Sequence, residues 1–129
     1  MSRLKSTRRS IHAYILMLHA AESGWAQLTE AQQREGMAAY LAYTEALKKA
    51  GVLRGVNRLR PSTTATLVRA AEGKSQVLNG PYVDTKEQMG GYDVIDVPDQ
   101  EAAVAWAKRC PTANHGTVEV RPLWEDAAA

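Results

Sequence analysis

The chain alternates between two hydrophobic periods, and the blocks come in the order strand, helix, strands, strand, helix, strand. Residues 12–19 (HAYILMLH) form a short segment dense in Tyr, Ile, Leu and Met, which predicts a buried first strand. Glu22-Ser23-Gly24-Trp25 then reads as a loop. Thr29 followed three residues later by Gln32 is a capping-box pair, so a helix is predicted from there to Ala50. Gly51 stops it, since glycine takes the left-handed C-terminal position at low cost. Tyr40, Tyr43, Leu47 and Ala50 recur on one face of that helix.

Residues 52–59 and 64–69 are two strand candidates, with Arg60-Pro61-Ser62 as the turn between them. Glu72-Gly73-Lys74 is a second turn, leading to a short strand over 76–78 and then to Asn79-Gly80-Pro81. Residues 92–97 alternate and predict another strand, which Pro98-Asp99 ends, and Asp99 can cap the next helix. Ala103, Trp106, Ala107 and Cys110 make a helical stripe that Pro111 terminates. The last strand is predicted over 117–123, with Val118 and Val120 on one face and Glu119 and Arg121 on the other.

This order is an α+β, ferredoxin-like split β-α-β plan with an inserted β-hairpin between its halves. Two helices cover one sheet face. The other face needs cover as well, and the pattern holds no third helix, so a homodimer of two sheets is the economical solution.

Composition changes this picture little. The chain has 129 residues, enough for one domain. Its formal charge of +2 is local, because Arg3, Lys5, Arg8 and Arg9 all fall in the first ten residues. The remainder has 12 Lys and Arg against 14 Asp and Glu, a net of −2. The reading is therefore a flexible basic arm over 1–10, a domain over 11–125 and a tail over 126–129. A folded part without a basic excess gives no reason to expect direct nucleic-acid binding. A single cysteine, Cys110, excludes an intrachain disulfide and fits a cytoplasmic location. No apolar run approaches the ~18 residues needed to span a bilayer. Thr7-Arg8-Arg9-Ser10 before an apolar run faintly suggests a twin-arginine signal, but cleavage there would remove the first strand.

Three segments carry a family likeness: AGVLRGVNRLRP (50–61), NGPYVDTKEQMGGYDVIDV (79–97) and WAKRCPTANHGTVEVRPL (106–123). Together they resemble the YCII-related superfamily and, within it, the branch called DGPF-domain proteins, with Asn79 and Tyr82 standing for the Asp and Phe of the naming motif. The resemblance covers about His12 to Glu125. It implies a dimeric α+β barrel with a cleft between the two subunits' sheets. It also implies a possible link to extracytoplasmic-function sigma factors, beside which proteins of this branch are often encoded. Some YCII proteins carry a His on the first helix and an Asp at the end of the second as a proposed catalytic pair. Tyr40 and Cys110 fall near those positions here, so that pair is not carried over.

The candidate chemistry is sparse. His12, His19 and His115 show no ligand spacing, and no metal or cofactor is expected. His19, at the end of the first strand near Glu22, is a cleft candidate or else a loop histidine. Tyr82, Asp84 and Lys86 either rim the cleft or form a solvated edge. Arg58, Glu119 and Arg121 stand on strands, where charges need partners. They either pair with one another or orient a small polar ligand. Tyr40 and Tyr43 read as core aromatics whose hydroxyls reach a partner, and Cys110 as a buried structural thiol. Two functions follow: binding, with or without transformation, of a small polar molecule in the homodimer cleft, or a non-catalytic regulatory or accessory dimer in a sigma-factor pathway. No nucleophile–base pair or phosphate loop names a reaction, and whether the chain is an enzyme is left open.

Overall fold

A computed structural model describes residues 12–124. The proposed basic arm and tail lie outside them. The elements are β1 (Ala13–Ala20), α1 (Glu22–Ala26), α2 (Glu30–Lys49), β2 (Leu53–Arg58), β3 (Thr66–Ala71), β4 (Lys74–Asn79), β5 (Gln88–Asp96), α3 (Gln100–Arg109) and β6 (Thr117–Pro122). Single 3-10 turns sit at Ser62–Thr64 and Pro111–Asn114. Strands β2, β5, β1 and β6 form an antiparallel sheet in that order, and β3 and β4 pair separately as a hairpin. This is the split β-α-β order with the hairpin inserted between β2 and β5.

Local chemistry sets the element ends. The Thr29 hydroxyl accepts the Gln32 amide at 3.1 Å, and the Gln32 side chain accepts the Thr29 amide at 2.9 Å. Gly51 follows α2 with φ +75°. Asp99 accepts the Ala102 amide and starts α3. Glu72 and Gly73 both take positive φ, which joins β3 to β4 through a two-residue turn whose twist suits a hairpin.

One expectation is corrected. Glu22 to Trp25 lies in a short third helix, α1, where a loop and only two helices are expected from the sequence. The Glu22 carboxylate accepts both the amide and the hydroxyl of Ser62 at 2.7 Å, and its own amide donates to the Gln88 side chain. These partners lie 40 and 66 residues away, so no local pattern announces them.

Leu16 of β1, Ile95 of β5 and Leu47 of α2 are fully shielded and meet with Tyr43, Val97, Ala103, Ala107 and Cys110 in one core. Burying each large apolar side chain is worth about 1.5–3 kcal/mol. Ala50, placed on the same helix face by its spacing, is exposed because the helix ends there. Both long helices therefore cover the sheet face that carries Leu16 and Ile95. The register sets what the opposite face displays. Gly55, Val94, Ile15 and Arg121 form one cross-strand row, and Asn57, Tyr92, Met17 and Glu119 form the next. No helix among the described residues packs on that face.

At the end of the sheet where β6 begins, a Cβ on Gly116 would lie 2.2 Å from the His19 carbonyl oxygen. Backbone cannot yield to that approach as a flexible side chain can. Gly116→Ala is expected to cost about 1–3 kcal/mol in denaturant unfolding. Gly24→Ala, which meets nothing within 4 Å, should stay within about 0.5 kcal/mol of the parent.

Candidate functional site

The open sheet face holds a polar group at one end. His19 Nε2 donates to Glu119 Oε1 at 3.0 Å, reaching diagonally across the β1–β6 pair. The Thr117 hydroxyl, directly opposite His19, donates to Glu87 Oε1 at 2.8 Å. Asn57 donates to the Tyr92 hydroxyl at 3.0 Å. Arg121 shares the face in the row of Ile15 and Val94, and it makes no ion pair among the described residues. Apolar Ile15, Met17 and Val94 fill the middle. A register shift in β5 between the partners of Leu18 and His19 brings Met89 opposite His19. An imidazole oriented by a carboxylate can hold or transfer a proton, and the neighbouring hydroxyls and amide can orient a polar molecule.

Of the residues singled out in the sequence, the structure brings His19 and Glu119 together and sets Arg121 on the same face. It does not bring Arg58 to them. Arg58 stands opposite Gly91 on the helix-covered side, with its guanidinium 5.8 Å from the centre of the Trp25 ring. Trp25 in turn lies against Gly36 of α2, where a Cβ would meet its ring at 2.9 Å. Tyr82, Asp84 and Lys86 lie in the exposed loop between β4 and β5, and Tyr82 is 82% exposed. The base of that loop is tied down: Gln88 donates to the Thr85 carbonyl, and the Thr85 hydroxyl donates to the Glu87 carbonyl.

Glu87, Tyr92, Asn57 and Thr117 were missed. Parity places Asn57 and Tyr92 on the open face once the β2–β5 register is known, but the bulge between Leu53 and Gly55 hides that register. Glu87 precedes the strand and has no parity to follow. Among the described residues no group of three or more His, Cys, Asp or Glu is arranged to hold a metal ion, and no helix is long and apolar enough to cross a membrane.

Residues 14–126 match the YCII-related domain. The chain belongs to the YCII-related family. An uncharacterised protein of Rhizobium meliloti (strain 1021) is 40% identical over 77 residues, 58% of this chain and 62% of that protein. The aligned part thus spans less than two thirds of the relative.

Tyr40 and Cys110, which fall near the positions where some YCII proteins carry a His and an Asp, lie close together on the helix-covered side through Thr112. The Tyr40 and Thr112 hydroxyls are 2.5 Å apart, and Thr112 also hydrogen-bonds Cys110. Tyr43 donates to the Trp106 carbonyl at 2.8 Å and meets the Trp106 ring edge-on. Burial pushes the Tyr40 hydroxyl and the Cys110 thiol up from their ordinary ranges, so both are neutral near neutral pH. The expectation of core tyrosines with bonded hydroxyls and a buried thiol holds.

Asp93 of β5 is the unexpected member of this layer. It is 3% exposed, and burial pushes its carboxyl up to about 6. The folded chain therefore binds a proton more tightly at Asp93 than the unfolded chain does. Its contribution to stability is full below about pH 4 and is lost as pH rises through 6. A shift of about two units corresponds to about 3 kcal/mol as an upper bound. Thermal unfolding measured from pH 4.5 to pH 8 should show Asp93→Asn gaining stability relative to the parent as pH rises. A constant difference between the two across that range would mean that Asp93 keeps an ordinary carboxylate affinity for protons.

Proposed function

We propose that the chain acts as a homodimer whose open sheet faces turn toward each other and hold a small polar molecule between them. The observation that carries this reading is the face itself. It has an apolar centre of Ile15, Met17 and Val94, a His19–Glu119 pair at one end, and an Arg121 without an ion-pair partner among the described residues. A sheet face left half apolar and half functional calls for cover that does not fill it. Arg121 supplies a planar donor for an acidic or carbonyl group of the ligand, while Tyr92 and Asn57 supply further hydrogen bonds. His19, held by Glu119, is the residue suited to moving a proton if the bound molecule is transformed.

A second reading, a regulatory or accessory dimer, gains support from a different feature. Val68, Val77, Leu78, Tyr82 and Val83 are large exposed apolar side chains outside the sheet face. Val68 and Val77 pair across one face of the hairpin, and exposed apolar side chains of this kind suit contact with protein.

A thermal-shift screen against small polar metabolites separates the two readings. The first expects a compound that raises Tm by several degrees in the parent protein, as occupancy near 100 times Kd stabilises by about 2.7 kcal/mol. Arg121→Ala and His19→Ala should each lose most of that shift while retaining the parent's circular dichroism. A ligand whose shift survives both changes binds elsewhere and removes the cleft site.

A further inference from the structure

The β3–β4 hairpin has two unlike faces. The register puts Thr66 opposite Asn79, Val68 opposite Val77, and Ala70 opposite Ser75 on one face. That face carries no formal charge. The other face carries Leu67 with Leu78, Arg69 with Gln76, and Ala71 with Lys74. The uncharged face is also the barer one, since Val68 is 69% and Val77 67% exposed. A solvated hairpin would reverse this arrangement, placing its charges where its exposure is greatest. Two strands alone are at best marginally stable in water, so a hairpin with a bare uncharged face calls for a partner surface.

The hairpin also springs from a particular place. It leaves the sheet after β2 and returns before β5, at the end of the sheet where β1 finishes and β6 begins. That is the end carrying His19, Thr117 and Glu119. Its root is fixed by the Gly80 amide donating to the Ala65 carbonyl and by Glu22 holding Ser62.

Area gives the occupant. Four strands about 4.8 Å apart and roughly six residues long present about 400 Å² in plan. A stable interface needs about 800 Å² per partner. Side-chain relief enlarges the first figure, but a cleft that holds a ligand withdraws its polar end from close contact. The hairpin's uncharged face adds roughly half as much again as the sheet. We propose that the β3–β4 hairpin is an arm that packs its Val68/Val77 face on a second copy of this chain, so that each cleft is closed in part by the partner's hairpin. This rests on the homodimer reading above and adds the element that holds the dimer while its cleft stays open.

The test is sedimentation equilibrium of the full chain carrying Val68→Lys with Val77→Glu. This opposed pair preserves cross-strand pairing within the hairpin while removing its apolar face. The control is Gln76→Glu, which places a carboxylate opposite Arg69 on the other face. The expected result is a dimer at least tenfold weaker for the double variant, an unchanged dimer for the control, and the parent's circular dichroism for both. A double variant that dimerises as tightly as the parent overturns the arm and leaves the open-face dimer standing. A parent chain that is monomeric at micromolar concentration overturns the dimer reading itself, and the arm with it. A parent dimer indifferent to the double change, together with loss of binding to another protein, would assign the hairpin to that protein instead.

Discussion

Everything in this fold depends on a one-sided contact. Leu16, Ile95 and Leu47 meet where two helices lie on a four-stranded sheet, and all three are fully buried. Because β1 and β5 are the central strands, their inward residues take the helices' apolar stripes. Strand parity then sends Ile15, Met17, Tyr92 and Val94 to the other side, where no helix among the described residues reaches them. The core and the exposed face are thus two consequences of one alternation. A single-residue slip of β1 would exchange them, so the residues that specify the core also specify the candidate site.

The helix–sheet layer is not purely apolar: it also holds the hydroxyls of Tyr40, Tyr43 and Thr112 and the carboxyl of Asp93. The Tyr40, Tyr43 and Thr112 hydroxyls are all engaged, which offsets the cost of burying them. They also fix the two long helices to each other and to the turn after α3. Asp93 sits at a position that alternation assigns to an apolar side chain, opposite Leu16 and Val56. Burial favours its protonated form, so its contribution to stability is lost as pH rises through about 6. This pH dependence runs opposite to that of carboxylates held in ion pairs.

The sequence disclosed elements more readily than it disclosed a site, for a physical reason. Capping, periodicity and turn chemistry act over a few residues, which is why Thr29–Gln32, Asp99 and Gly51 mark helix ends faithfully. The YCII resemblance was legible because it lies in contiguous segments. A site on a sheet face is set by register between strands far apart in the chain. His19 and Glu119 are 100 residues apart, yet parity and strand ends allowed both to be singled out. Arg58 shows the limit. Its parity was read from an uninterrupted strand, but the bulge near Gly55 turns it toward Trp25 and the helices. Glu22 shows the same limit in a loop: its role as an anchor for Ser62 exists only after folding brings the two together.

The bulge in β2 and the register shift in β5 therefore matter beyond the fold. Each lies on one of the two strands that feed the hairpin, and each changes which side chains face the open side. A bulge also sharpens local twist and re-aims the end of a strand. Here those ends carry the 3-10 turn at Ser62–Thr64 and the loop that finishes at Glu87, with Glu22 and Gln88 binding them to the sheet. The two strands that flank the hairpin in the chain are thus the ones whose irregularities turn Arg58 away and bring Met89 opposite His19. A change that regularised β2 would turn Asn57 away from the open face and Arg58 toward it, and so alter the hydrogen-bonding groups the face presents.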